Sequence, residues 1–295
     1  MTSPDGRAIE EFAAAKINLA LHVTGRGQDG LHLLDSLVAF AKVGDILRFA
    51  DAEESSLEIN GPFSAGLTSQ TDNLVARAAQ FWQERLGMTD KHFAITLEKN
   101  LPIASGIGGG SADAAATIRG LSRLWDVNVD FEQADQVAAE LGADVPVCLR
   151  SSGCAMSGTG EVIDAIADLP AFPTVLVNPG VPVSTADVFS ALDLTKGCEA
   201  FPAKDDLPES SNPTDWISWL TKQRNDLQEA AVRLVPTIAD CLVAIGRTGG
   251  CQLARMSGSG ATCFALFETE AQAKAAAAEI SATQPEWWVT DTLVG

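Results

Sequence analysis

Alternation between apolar and polar residues is sharpest near the start of the chain. Over Phe12–Val23, alternate residues of an extended segment point to opposite sides. One side reads Ala13, Ala15, Ile17, Leu19, Leu21 and Val23, all apolar, and predicts a face buried against a core. The other reads Phe12, Ala14, Lys16, Asn18, Ala20 and His22, three polar groups set among alanines. That side is either a solvated outer face or a surface turned toward a bound group, since the alanines beside Lys16 leave room for one. Strand patterns also cover Asp45–Phe49, Phe93–Leu97, Thr174–Asn178, Thr262–Phe267 and a last stretch near Trp287–Thr292. Helical spacing runs through Asn73–Leu86, Ala112–Leu124, Phe131–Leu141, Asn225–Leu234, Thr237–Arg247 and Ala271–Ile280. Gly87 and Gly142 stop the first and third of these. Strands and helices follow one another without regular alternation, which predicts an α+β fold rather than a doubly wound sheet.

Length changes this picture little. A chain of 295 residues suggests one large or two medium domains. The softest boundary lies at Leu169-Pro170-Ala171-Phe172-Pro173, giving 1–170 and 171–295. A polar stretch over 196–215 reads as a surface loop. Charge changes it more. The formal net charge of −19 argues against a nucleic-acid or anionic-membrane partner, because phosphate contacts need clustered Lys and Arg. If the substrate is itself anionic, something local must overcome that field. The six cysteines form no CxxC pair and the histidines number only three, so buried reduced thiols are expected rather than a zinc cage. Nothing at the N-terminus resembles a leader, and no run approaches about 18 apolar residues. A soluble cytoplasmic protein is expected. Oligomeric state is not legible.

Candidate chemistry sits in five short segments. Beyond Lys16 and Asn18, Gly25–His32 is a glycine-rich turn with Asp29-Gly30 as a hairpin signal. The strongest segment is Leu101-Pro102-Ile103-Ala104-Ser105-Gly106-Ile107-Gly108-Gly109-Gly110-Ser111-Ala112-Asp113, between a strand and a helix of small residues. Glycines let backbone N–H groups turn inward, and a helix N-terminus adds about half a positive charge. Together they predict a phosphate cradle that needs few lysines. No Gly-Lys-Ser/Thr ends it, so it is not a P-loop. A dinucleotide fingerprint starting at Gly106 would need glycine where Ser111 stands, which weakens the dehydrogenase reading. Asp144, among Gly142, Ala143, Val145 and Pro146, is either a turn-former or a carboxylate held for a partner such as Lys16. Met256-Ser257-Gly258-Ser259-Gly260-Ala261 is either a plain hairpin loop or a second backbone wall beside phosphates.

Taken together, Ala15-Lys16-Ile17-Asn18-Leu19, Asp29-Gly30-Leu31-His32, the Pro102 to Asp113 loop, Gly142-Ala143-Asp144-Val145-Pro146 and Ser257-Gly258-Ser259-Gly260-Ala261 resemble the GHMP kinase superfamily in type and order. They span most of the chain. The resemblance implies a two-domain α+β GHMP kinase fold. Its N-terminal domain is like the second domain of ribosomal protein S5 and its C-terminal domain is ferredoxin-like, with ATP and substrate meeting in a cleft. It also implies an ATP- and Mg²⁺-dependent phosphotransferase of isoprenoid precursor synthesis acting on a cytidine diphosphate ester. The alternative is a homoserine or mevalonate type of kinase. By the family pattern Lys16 and Asp144 are the catalytic pair, Lys16 holding Asp144 ionised. Pro102 to Ala112, with Asn73 and Lys99, bind ATP. Asn18, His32, Phe189 and Ser259 bind the substrate, His32 reading cytosine and Phe189 stacking on it. The chain departs from the family in two places. Leu31 stands where an aromatic is usual, and there is no tyrosine anywhere. Ala104-Ser105 replaces a glycine pair, so the cradle depends on the φ angles there.

Overall fold

The computed structural model describes residues 8–67, 73–129 and 131–295. The alternating segment near the start forms β1 (Ile9–Arg26), which a tight turn joins to β2 (His32–Asp51). In that turn Gly30 has φ +93°, and Asp29 Oδ1 accepts the N–H of Leu31 at 3.0 Å. A side-chain turn followed by a left-handed glycine is what an Asp-Gly pair supplies. β2 is far longer than the expected Asp45–Phe49. Leu37–Ala41 is buried on both faces and so leaves no alternation to read.

The chain forms two compact units, neither of them a continuous half. One gathers residues up to Ala15 with Val43–Ile103 and Gly108–Ser151, the other Lys16–Lys42, Ala104–Ile107 and Ser152–Gly295. β1 and β2 therefore each contribute to both.

The first unit adds β3 (Ser56–Asn60), α1 (Leu74–Leu86), β4 (Phe93–Glu98), α2 (Gly109–Leu124), α3 (Phe131–Leu141) and α4 (Val145–Arg150). β4 pairs antiparallel with Ile46–Asp51 of β2 and parallel with β3. Asn73 caps α1 by accepting the N–H of Val75 at 2.9 Å, and Gly87, at φ +66°, closes it. The buried Trp82 of α1 donates from Nε1 to Ser122 Oγ of α2 at 2.9 Å. Gly120 lets α2 lie on β2, since a Cβ there would fall 2.2 Å from the Phe49 ring. Two expectations change. α2 begins at Gly109 rather than Ala112, so the glycines of the loop form its first turn. A proline biases the residue before it toward an extended backbone, yet the segment after Asp144 is helical, because Pro146 falls in the first turn of α4, where its missing N–H costs nothing.

The second unit continues with β5 (Cys154–Gly158), β6 (Val162–Ala165), β7 (Phe172–Asn178), α5 (Thr185–Ser190) and β8 (Cys198–Glu199). Then come α6 (Pro213–Leu220), α7 (Gln228–Leu234), α8 (Thr237–Gly246), β9 (Leu253–Met256), β10 (Cys263–Leu266), α9 (Glu270–Thr283) and β11 (Trp288–Val294). β7 lies between β11 and β10, β9 flanks β10, and Val294 of β11 pairs with Ala41 of β2, all antiparallel. β5 pairs antiparallel with Leu34–Val38 of β2. Val175, Val177, Ile238, Ile245, Phe267 and Ala273 are among the residues that bury the inner face of this sheet under its helices. α9 opens on a reciprocal capping box between Thr269 and Gln272.

Most of the strand pairs described above are antiparallel, with β3 and β4 parallel, in line with the expected α+β class. The 196–215 stretch holds only β8 and the start of α6, and Asp205, Asp206 and Glu209 are exposed in it. All six cysteines are free thiols, and burial pushes Cys241 up to about 12. Among the described residues no helix is long and apolar enough to cross a membrane.

Candidate active site

The second face of β1 is not solvated. Lys16 is 4% exposed, and Asn18 and His22 are 1% exposed. Burying polar groups on an apolar strand is costly unless they find partners. His22 has found protein ones. Its Nδ1 lies 3.2 Å from the Pro202 carbonyl and its Nε2 3.4 Å from the Arg224 backbone nitrogen. Burial, then the Arg224 charge, lower its pKa, so the ring is a neutral strut.

Asn18 is different. Its Nδ2 donates to Ser36 Oγ at 2.8 Å, and Ser36 Oγ donates onward to the Ala20 carbonyl at 2.7 Å. That chain fixes which end of the amide is which. It leaves Asn18 Oδ1 buried with no protein partner. The site thus presents an acceptor waiting for a donor.

The loop after β4 is gripped from behind. The N–H of Lys16 donates to the Ile107 carbonyl at 2.9 Å, and the N–H of Thr262 to the Ser105 carbonyl at 3.0 Å. Ser257 Oγ donates to the Gly106 carbonyl at 3.2 Å and accepts the N–H of Asn18 at 3.1 Å. Asn225 Nδ2 holds the Met256 and Gly258 carbonyls, each at 2.8 Å. The two glycine-serine turns therefore lie against each other and against β1. Gly106 has φ +72°, and a Cβ there would fall 2.6 Å from the Ser257 carbonyl oxygen and 2.7 Å from the Gly260 nitrogen, so only glycine fits. Ala104 takes φ +50°, the left-handed conformation a glycine would hold more easily. Ser105, Ile107 and Ala112 are buried anchors, Pro102 is buried, and Ile103 is exposed. Gly106, Gly108, Gly109, Gly110 and Ser111 reach the surface. Gly108, at φ +64°, is the N-cap of α2 and brings no side chain to it. The spare donors of that first turn are offered to something else.

Of the residues expected to bind substrate, His32 and Phe189 come together, their rings 4.8 Å apart and tilted by 34°. Burial and the Arg26 charge lower the His32 pKa, so it is neutral, and its Nε2 is buried with no protein partner. Leu31 is 55% exposed beside it. Ser259 Oγ is 2.8 Å from Thr185 Oγ1.

Lys99 is buried between two carboxylates. Its Nζ donates to Asp45 Oδ2 and, at 2.6 Å, to Asp113 Oδ2. Burial pulls its pKa down, but the two carboxylates outweigh that and hold it above the ordinary lysine value. Asp144 precedes α4 without capping it, next to the buried run Val145–Leu149. Lys16 and Asp144 belong to different compact units. Asn73, expected on the ATP side, is the cap of α1.

Residues 73–152 match the family described as GHMP kinases N terminal domain, and 210–286 match GHMP kinases C terminal. A 4-diphosphocytidyl-2-C-methyl-D-erythritol kinase from Cereibacter sphaeroides is 51% identical over 281 residues, 95% of this chain and 97% of that one. Its counterpart from Bradyrhizobium sp. is 47% identical over 291 residues, 96% of each. A crystal structure of 4-(cytidine 5'-diphospho)-2C-methyl-D-erythritol kinase superposes with TM-score 0.76 at 31% identity, covering 97% of this chain and 99% of that one. The chain belongs to the GHMP kinase family. Homoserine kinase from Cytophaga hutchinsonii shares the fold, with TM-score 0.70 at 18% identity over 97% of this chain and 94% of that one.

In this GHMP kinase the N-terminal match takes in the glycine loop and Asp144, and the C-terminal match takes in the second turn. Lys16, Asn18, His32 and Phe189 lie outside both matches. Reading the sequence missed Ser36 and Asp45, and named Ser257 and Asp113 only as members of their segments. Asp113 left a trace, the one charge in an alanine-rich helix start. Ser36 and Asp45 left none, since what matters is what β2 lies beside.

Proposed function

We propose that this GHMP kinase transfers the γ-phosphoryl group of ATP to the 2-hydroxyl of 4-diphosphocytidyl-2-C-methyl-D-erythritol, a step of non-mevalonate isoprenoid synthesis in the cytoplasm. The observation that carries it is near-full-length identity of about half with kinases of that name. The site agrees. Asn18 Oδ1 and His32 Nε2, two of the residues expected to hold substrate, are buried polar atoms with no protein partner. A buried orphan of this kind costs about 1–3 kcal/mol unless a ligand fills it. A neutral imidazole next to the Phe189 ring suits a nucleobase, which a homoserine or mevalonate substrate lacks.

Phosphoryl transfer asks a protein mainly for positioning and charge stabilisation. Asp144 takes or orients the proton of the substrate hydroxyl. Lys16 stabilises negative charge on the transferring group. Backbone N–H groups from Pro102 to Ala112 and the uncapped start of α2 hold the ATP phosphates, with Asn73 on the adenine side. Lys99 serves through the loop it anchors. Ser259 lines the substrate side. Mg²⁺ supplies charge neutralisation when it comes in with the nucleotide. Among the described residues no three His, Cys, Asp or Glu side chains converge on a metal.

The test is ADP release with the cytidyl substrate, homoserine and mevalonate in parallel. Turnover of the cytidyl ester alone is expected, with Lys16→Ala and Asp144→Ala each losing about a hundredfold or more in kcat. Turnover within about tenfold of wild type in both variants, or a preference for homoserine or mevalonate, overturns the assignment.

A further inference from the structure

In the buried cluster of Asp45, Lys99 and Asp113 the proposed reaction gives a role to Lys99 alone and leaves the two acids unused. Their side chains are 0%, 5% and 4% exposed. Lys99 Nζ bridges both carboxylates. Asp45 Oδ1 also accepts the N–H groups of Asn100 at 2.6 Å and Leu101 at 2.8 Å, where the chain enters the glycine loop. A Cβ on Gly109 would fall 3.2 Å from Lys99 Nζ and 3.7 Å from Asp45 Oδ2. The cluster therefore sits directly under the first turn of α2.

We propose that Asp113 is a positioning residue for nucleotide binding: protonated between Lys99 and Asp45, it keeps the base of the phosphate loop electrically neutral, and its ionisation weakens the hold on ATP. This rests on reading the start of α2 as the phosphate site.

Charge and hydrogen-bond counting both lead there. With both acids ionised the cluster carries one net negative charge out of water, which is costly. One bound proton removes it. Asp45 is met by three donors and Asp113 by one, so the proton resides on Asp113. Asp113 Oδ1 is buried with no partner, a poor setting for a carboxylate. Burial first, and the Asp45 charge after it, raise the Asp113 carboxyl to about 8 against the opposing pull of Lys99. Those two are the charged groups that act on it. Once ionised, Asp113 competes with phosphate for the positive end of the same helix.

The experiment measures binding without turnover. Calorimetry follows ATP and adenosine on the full chain from about pH 7.5 to about 9.5, with KM for ATP and for the cytidyl ester alongside. ATP affinity is expected to fall about tenfold across that range, with adenosine affinity and the cytidyl KM moving less than about twofold. Asp113→Asn, which keeps the shape without the titration, is expected to abolish the fall. The inference is overturned if wild-type ATP affinity is flat, if adenosine weakens in parallel, or if Asp113→Asn keeps the same alkaline loss. Absence of any ATP binding at about pH 7.5 overturns instead the reading of the loop as a phosphate site.

Discussion

Two regions bury polar side chains at similar depth and to opposite ends. On β1, Asn18 is locked by Ser36 so that one acceptor is left unmet. Under α2, Lys99 is saturated by Asp45 and Asp113. A buried polar group must be satisfied from inside the protein or from outside it. The lysine under α2 takes the first course and works on the shape and charge of a loop. The amide on β1 leaves its acceptor open, which fits the substrate role proposed for it. Burial alone does not separate the two courses, because Asn18 and Lys99 are 1% and 4% exposed.

The sharpest way to break this contrast is to empty the cluster. Lys99→Met strands the Asp45 carboxylate and the Asp113 carboxyl without their cation, and loss of one partner of a buried ion pair costs about 3–5 kcal/mol. Urea unfolding is expected to show a loss of that order, while Asn18→Ala costs stability far less and acts on the substrate KM. Equal stability losses would mean that the two regions are the same kind of structure.

Next in size is the substrate side. Leu31→Tyr supplies the second ring that a cytosine sandwich lacks, and base–aromatic stacking is worth about 1–3 kcal/mol. The KM for the cytidyl ester is expected to fall about fivefold or more at nearly unchanged kcat. An unchanged KM would place the base away from Leu31. The smallest effect concerns the loop backbone. Ala104 pays about 1 kcal/mol for its left-handed conformation, so Ala104→Gly relieves strain but loosens the unfolded chain. The expected change in stability is within about 1 kcal/mol of zero, with a rise in the KM for ATP if rigidity at that point matters.

The opening puzzle of charge is partly resolved and partly sharpened. Asp51, Glu53, Glu54 and Glu58 are exposed, as are Asp205, Asp206 and Glu209. Two acids nonetheless lie buried beside the proposed phosphate loop. Lys99 and a proton on Asp113 neutralise them, which a charge count at pH 7 does not reveal. The sign of the linkage follows. Asp113 is raised from 3.8 to about 8 on folding, so its contribution to stability is full below the lower value and lost as pH rises through the upper one.

Much of this protein was legible from one dimension. The alternation over Phe12–Val23 gave β1 and its buried face, because period two is a local property of a strand. Helical periodicity gave α1 and α3 to within a residue, because caps and stops are local too. The glycine loop and the five motifs in order carried the family. Folding in three dimensions decided the rest. β2 was hidden because burial on both faces erases alternation. α4 was hidden because a proline's meaning depends on whether it falls in a helix's first turn. The polar face of β1 stood open between water and ligand until packing closed it off. Whether a lysine is committed to carboxylates depends on residues 14 and 54 positions away in the chain, as Asp113 and Asp45 are from Lys99. Hydrogen-bond satisfaction is a property of neighbours in space, so it is decided only when the chain has folded.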